Sequence, residues 1–531
     1  MDRIWLYDST LRDGAQGEGV SFSLEDKLAI ATKLDELGFD YIEGGYPLSN
    51  PKDMAFFQEA ARRRWRHAQI TAFGMTRRAR MTAAADEGMA ALLAAKTPIV
   101  TVVGKSWDLH VTEVLRVSLD ENLRMISESV RYLKSKGKEV YFDAEHFYDG
   151  YRANPDYACK TLAAAREAGA SVLVLCDTNG SALPSEVLGA TRAVVVQAGT
   201  TIGFHGHNDG GLAVANTLAA VEAGATHVQG TINGLGERAG NADFCVVIPN
   251  LILKMKRSCR FGENLPRLTE LSRYVYEVAN MTLRDNQPFV GRSVFAHKGG
   301  MHVDAVLKNP RTYEHIRPEQ VGNERRILVS ELSGGATILA KMEKYNLTRD
   351  RKQSRLVLDA VRRLENEGYA FEAAEGSFGL LVKRLLGTYR PFFELEGFRV
   401  IVERRQNGEP ITEATIKVRV GGQEELTASE GDGPVNALDG ALRKALERFY
   451  PCLKEVRLVD FKVRVINPRA GTAARVRVMI ESRDQEEIWG TVGVSENLIQ
   501  ASWLALVDSI EYKLFKEMER QGRTSGQRST S

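Results

Sequence analysis

Short apolar runs recur along the first half of the chain, each followed by a polar patch and an amphipathic stretch. The runs begin at Ile4 (IWLYDST), Tyr41 (YIEGGYP), Ile70 (ITAFG), Ile99 (IVTVVG), Glu139 (EVYFDAE), Ser171 (SVLVLCDT), Thr201 (TIGFHGHN) and His227 (HVQGTINGLG). They are continuous rather than alternating, as strands of a covered parallel sheet are. Helix signals fill the gaps. Ser23, followed by Asp26, caps the start of SLEDKLAIATKLDELG, which stops at Gly38. LDENLRMISESVRYLKSKG stops at Gly137, and GLAVANTLAAVEAGA stops near Gly224. Strand then helix, repeated eight times over about 250 residues, predicts an α/β fold of the (β/α)8 TIM-barrel type. A doubly wound open sheet is the rival, but no GxGxxG follows the first strand.

The repeat stops after about Met255. Residues 257–390 read as helices and loops, a helical linker. From Pro391 the period changes to two. EATIKVRVG and EELTASEG alternate as half-buried strands before the helix PVNALDGALRKALERF. VDFKVRVIN, ARVRVMIES and WGTVGVS then precede a second helix, NLIQASWLALVDSIEYKL. Strands then helix, twice, predicts a separate α+β domain. The expected layout is a barrel over 1–256, linker subdomains over 257–390, a C-terminal domain over 391–516 and a disordered tail over 517–531.

Composition narrows the function. The 71 basic and 69 acidic residues leave a formal charge of +2, and no basic arm or patch calls for nucleic acid or an anionic membrane. No stretch combines a basic start with an apolar signal core, and none reaches ~18 consecutive apolar residues. Five scattered cysteines without CxxC spacing suit neither a disulfide framework nor a cysteine zinc site. The expected compartment is the cytoplasm. Cys176, inside an apolar run, reads as a small buried residue rather than a nucleophile.

Polar residues collect where the strands end, the face on which such barrels carry their active sites. They are Asp8, Arg12 and Asp13 after strand one, Glu43 after two, and Asp143 and Glu145 on five. Asp177, Thr178 and Asn179 follow strand six, His205 and His207 lie on seven, and Asn233, Glu237, Arg238 and Asn241 follow eight. On a strand, His205 and His207 share a face, and Gly206 between them leaves the approach open. Alone, such a pair serves equally as a cation site or as two satisfied histidines. Asp13 and Asn241 come from neighbouring strands in a closed barrel. Two imidazoles, a carboxylate and an amide oxygen suit a divalent ion with open positions. Such an ion favours a chelating 2-oxo acid and polarises its carbonyl. Arg12 then stabilises an oxyanion or enolate, and Glu145 takes part in proton transfer.

STLRDGAQ, HGHNDGGLA and INGLGERAGNADF resemble the metal-dependent aldolase/lyase-type barrels that include 2-isopropylmalate, homocitrate and citramalate synthases. The resemblance continues through HKGGMHVDAV and RTYEH in the linker and into the C-terminal domain. DSTLRDGAQGEGVSFS and GKSWDLHV look most like the citramalate synthase branch. The resemblance implies a metal (Mn²⁺, Mg²⁺, Co²⁺ or Zn²⁺) on Asp13, His205, His207 and Asn241. It implies that Arg12 holds the keto oxygen and enolate, and that Thr178 contacts the oxo-acid carboxylate. It also implies that Glu145 and His302 share base duty, with His302 acting across a homodimer, and that Tyr313 serves a late hydrolytic step. The substrates implied are pyruvate and acetyl-CoA, condensed and hydrolysed to citramalate and CoA on a route to isoleucine. The C-terminal domain is then regulatory and binds an amino-acid effector, isoleucine or leucine. Two positions depart from the common pattern: Ala15 stands where many relatives have glutamate, and Gly210 where they often have leucine.

Rival readings keep the chemistry and exchange the oxo acid for 2-oxoisovalerate or 2-oxoglutarate, run it as C–C cleavage, or make the chain a non-catalytic amino-acid sensor. Met75, Tyr141 and Phe142 stand where an oxo-acid side chain would be read.

Overall fold

The computed structural model describes residues 3–330, 338, 351–404, 408, 410–467, 471 and 473–527. The chain divides into two compact units. One holds Met1–Phe295 with Ile316–Glu324; the other holds Ala296–His315 with Arg325–Ser531.

The first unit is a closed barrel whose eight strands are neighbours in chain order. They are β1 (Trp5–Asp8), β2 (Tyr41–Glu43), β3 (Gln69–Met75), β4 (Ile99–Lys105), β5 (Glu139–Glu145), β6 (Val172–Asp177), β7 (Thr201–Gly206) and β8 (His227–Gly230). All pairs are parallel, and β1 closes on β8 from Trp5↔His227 to Asp8↔Gly230. Each strand grew from a predicted run. The helices also start and stop as their caps dictate. Helix Leu24–Leu37 opens on a reciprocal Ser23–Asp26 capping box and ends at Gly38, whose φ of 91° favours glycine. Its Ile30, Leu34 and Leu37 are fully buried against the sheet. Each such side chain contributes roughly 1.5–3 kcal/mol.

Alternation along each strand separates two cores. Outward residues such as Leu6, Ile42, Val102, Phe142 and Phe204 pack under the helices. Inward residues Tyr7, Ile99, Tyr141, Val172, Val174 and Cys176 fill the barrel, with Tyr41 against them. Phe142 is therefore a strand–helix packing residue and does not read a substrate, because it alternates with the inward Tyr141 and Asp143. Cys176 is buried as expected, and burial pushes its thiol well above the ordinary range.

The barrel unit extends past the expected cut at 256. Phe261, Leu265, Leu268, Leu271 and Val275 join the same core as the strand–helix layer, so the turn Arg260–Arg267 and helix Leu268–Val278 belong to it. The apolar faces of these segments need the barrel as their partner.

The second unit carries helices Gly300–Lys308, Arg351–Asn366 and Glu375–Leu385, then two copies of one motif. Strands Glu394–Glu403, Ile411–Val420 and Gln423–Gly431 form an antiparallel sheet followed by helix Pro434–Leu446. Strands Arg457–Val465, Val476–Arg483 and Ile488–Ser495 form another, followed by helix Leu498–Gln527. The first strand of the first copy was not anticipated, since its largely exposed ELEGFRVIVE lacks a clean buried face. The last helix runs beyond 516, so the predicted tail begins as helix; Leu506, Ile510, Leu514 and Phe515 anchor the turns that precede it. Linker residues 331–337 and 339–350 and tail residues 528–531 lie outside the described residues.

One partly buried charge cluster ties helix Glu375–Leu385 to the last helix. Arg384 donates to Asp508 at 2.8 Å and lies 3.5 Å from Glu511, which also accepts from the Tyr389 hydroxyl. Burial pushes Glu511 from 4.5 to about 7, against the pull of Tyr389 and Arg384. A carboxyl raised in the folded state stabilises the fold while protonated, and that contribution is lost as pH rises from about 4.5 to about 7. Glu511→Gln abolishes the titration. The urea midpoint of E511Q relative to wild type is therefore expected to climb across that window; a constant difference would contradict the assignment.

Candidate metal and substrate site

The loop after β1 divides its charges between folding and chemistry. Asp8 accepts from the Thr10 amide at 3.0 Å and the Thr10 hydroxyl at 2.8 Å, and Thr10 Oγ1 in turn accepts from the Ile232 amide at 2.9 Å. Asp8 thus folds the loop back and ties it to the segment after β8. Burial lifts its carboxyl to about 7, against these hydrogen bonds.

Arg12 is clamped. Its Nε donates to Glu43 Oε2 at 2.6 Å, and its guanidinium carbon sits 4.0 Å from the centre of the Phe73 ring. Glu43 is fully buried and also accepts from the Tyr7 hydroxyl at 2.7 Å. Arg12 NH1 reaches to 3.4 Å from Asp13 Oδ2. Burial opposes the Arg12 charge, but Glu43 and Asp13 outweigh it and raise its pKa.

Asp13, His205 and His207 converge, with one ligand atom from each within 4.8 Å of the others. His205 Nε2 lies 3.3 Å from His207 Nε2 and 3.4 Å from Asp13 Oδ2; His207 Nε2 lies 3.9 Å from that oxygen. The histidine pair shares a face, as alternation requires. Gly206 points the other way, where a Cβ would stand 2.7 Å from the Phe204 ring, so packing under the helices rather than access to a cation demands the glycine.

The electrostatics suit a cation. Burial pushes Asp13 up, but the Arg12 guanidinium prevails and holds its carboxyl low. Burial lowers His205 to about 3 and lowers His207, despite Asp13, so both rings are neutral with a lone pair to offer. Asn241 joins His207 through a backbone bridge. Asp13 Oδ1 and Asn241 Oδ1 are buried without hydrogen-bond partners among the described residues. Buried oxygens left unpaired are costly unless a cation or ligand meets them. The residues therefore fit a divalent ion.

Glu145 ends β5 and pairs with Lys105, its register partner on β4. Thr178 Oγ1 accepts from the His146 amide at 2.8 Å, which leaves the hydroxyl proton free to donate. His146 holds a left-handed φ of 57°, and its ring lies 3.2 Å from Asp149 and 4.1 Å, centre to centre, from His110. His302 and Tyr313 belong to the second unit, where their rings lie 4.3 Å apart.

Other rim residues prove structural. Asp177 accepts from the Ser181 and Ala182 amides and from Asn216. Asn233 is buried in bonds with Ser272 and Gln287. Arg238 pairs with Asp209. Of the oxo-acid side-chain candidates, Tyr141 lies in the barrel's inner core and Met75 is exposed. Two residues beside the site were not singled out in the sequence. Lys105 is visible only through the β4–β5 register. Gln229 shares the inward face of β8 with His227, and alternation alone would have found it.

Comparison with known proteins agrees with this architecture. The HMGL-like family model matches residues 3–275, a homocitrate synthase post-HMGL domain-like model matches 289–369, and a LeuA allosteric (dimerisation) domain model matches 372–514. The chain is 55% identical over 525 residues to a Geobacter sulfurreducens protein named (R)-citramalate synthase, covering 98% of this chain and 99% of that one. It is 54% identical over 522 residues to an Aquifex aeolicus protein of the same name, again over 98% and 99%. Against a probable 2-isopropylmalate synthase of Methanopyrus kandleri it is 33% identical over 513 residues, 96% of this chain and 98% of that one. Among the described residues no helix is long and apolar enough to cross a membrane. An eight-stranded parallel barrel with clustered Asp13, His205 and His207 and a match over residues 3–275 have one reading: the chain belongs to the HMGL-like family.

Proposed function

We propose that the chain condenses acetyl-CoA with pyruvate and hydrolyses the product thioester, giving citramalate and CoA on the way to isoleucine. The observation that carries this reading is the buried cluster of Asp13, His205 and His207 with the clamped Arg12 beside it. Near-full-length identity to proteins named (R)-citramalate synthase supports pyruvate over 2-oxoisovalerate.

In this reading Asp13, His205, His207 and Asn241 hold a divalent ion, Mn²⁺, Mg²⁺, Co²⁺ or Zn²⁺. Once bound, the ion would act as a Lewis acid on the oxo acid's carbonyl. Thr178 donates its free hydroxyl proton to the carboxylate. Arg12, unable to lose its proton, meets the negative charge that builds on the carbonyl oxygen. A methyl proton of acetyl-CoA passes to the base formed by Glu145 and His302. The methyl carbon then bonds to the carbonyl carbon of pyruvate, and the carbonyl oxygen, which gains the electron pair, takes up the proton held by the base. Water breaks the C–S bond, CoA leaves as its thiol, and Tyr313 serves this step. The proximity of the His302 and Tyr313 rings supports treating them as one group. We assign His302 to the site of a second subunit in a homodimer, consistent with the dimerisation domain matched at 372–514. Residues 391–516 form the regulatory domain, with isoleucine or leucine as effector, and the enzyme works in the cytoplasm.

Release of free CoA thiol tests the reading, with pyruvate, 2-oxobutyrate, 2-oxoisovalerate and 2-oxoglutarate compared with and without EDTA. Release is expected to be strongest with pyruvate and to stop with EDTA; preference for 2-oxoisovalerate would move the substrate, and no release with any would sink the chemistry. His205→Ala and Asp13→Ala are expected to keep the far-ultraviolet circular dichroism of the wild type and lose EDTA-sensitive turnover. Wild-type rates in either variant would remove these residues from the metal site. Isoleucine or leucine is expected to slow the full-length enzyme; a rate indifferent to both would end the regulatory reading.

A further inference from the structure

His205 is the one cluster imidazole with both nitrogens engaged. Its Nε2 faces Asp13 and His207. Its Nδ1 lies 2.9 Å from Gln229 Oε1, and Gln229 Nε2 donates to Asp143 Oδ1 at 3.1 Å. Gln229 is fully buried and Asp143 nearly so. By contrast, Nδ1 of His207 is buried with no hydrogen-bond partner among the described residues.

We propose that Gln229, held in orientation by Asp143, is a positioning residue that keeps the His205 proton on Nδ1 and so presents the Nε2 lone pair to the divalent ion. An amide oxygen can only accept, so the His205 nitrogen facing it must donate. A neutral imidazole has one ring proton, and placing it on Nδ1 leaves Nε2 unprotonated. A flipped amide would turn its oxygen to Asp143, which could meet it only through a carboxyl proton; in the arrangement present, Gln229 Nε2 lies on Asp143 Oδ1. Asp143 accepts from Nε2 and holds the amide the useful way round. Strand register sets the height: β8 pairs beside β7 with Phe204↔Val228, which brings Gln229 level with His205. A hydrogen bond on the far nitrogen also raises the basicity of a ligating imidazole, and loss of such partners typically costs roughly 10–100-fold in metal affinity.

This inference rests on the metal reading of the Asp13–His205–His207 cluster, and its test separates the two. Co²⁺ is titrated into metal-free, full-length protein and followed by visible absorption. Gln229→Met keeps the length of the side chain but offers no oxygen, and is expected to weaken Co²⁺ binding roughly 10–100-fold. Gln229→Glu, whose buried carboxyl can accept from His205 and donate to Asp143, is expected to keep wild-type affinity. Q229M that is folded and binds Co²⁺ as tightly as wild type would overturn the inference and leave the metal site standing. Wild-type protein that binds no Co²⁺ would overturn the metal reading beneath it. If Q229M does not fold, ¹⁵N NMR of the histidines in the metal-free wild type decides. His205 protonated on Nδ1 supports the inference, and protonation on Nε2 overturns it.

Discussion

The site is governed by an excess of buried negative charge. Asp8, Asp13, Glu43 and Asp143 all lie inside the strand ends, and Arg12 is the cation that bonds among them. Buried carboxylates must be paired, protonated or coordinated. The fold uses each way out. Glu43 takes the guanidinium of Arg12. Asp8 and Asp143 are raised by burial to about 7 and about 8 and can carry protons near neutrality. Asp13 alone is held low, and its other neighbours are two imidazoles that burial keeps neutral. A carboxylate beside two neutral nitrogen donors is a charge-incomplete set, and a divalent ion completes it.

The same constraint explains why Arg12 is held so firmly. A guanidinium shared between two carboxylates and stacked on Phe73 has little freedom to swing away. Its charge is then aimed before any substrate arrives, which is what electrostatic stabilisation of a developing oxyanion requires. Glu43 and Tyr7 do no chemistry in this picture. They hold Arg12, the residue to which the proposed reaction assigns it.

Much of this was legible in the sequence, for physical reasons. Eight apolar runs became eight strands because parallel strands buried on both faces tolerate little else. His205 and His207 could be placed on one face because the strand period is two. What stayed hidden depends on register between strands distant in the chain. The Lys105–Glu145 pair and the Gln229–His205 bond are cross-strand neighbours; alternation turns Gln229 into the barrel, but only register sets it beside His205. Asp177 and Asn233 looked like site residues because polar groups at strand ends look alike, yet their partners are backbone amides, backbone carbonyls and side chains of the scaffold. The strand Glu394–Glu403 was missed because both of its faces are largely wet.

The aromatic packing inside the barrel has a consequence for traffic. The rings of Tyr7, Tyr41 and Tyr141 crowd around His227, their centres 5.3–5.6 Å from its own. They fill the barrel below the carboxylates, so a ligand reaches Asp13 and Arg12 from the face where the strands end. Whatever binds deepest must enter first and leave last. A small chelating acid seated against Asp13 and Arg12 would be trapped beneath a larger partner arriving after it. The floor of the barrel, which touches no reactant, would in that way impose an order on events at its rim.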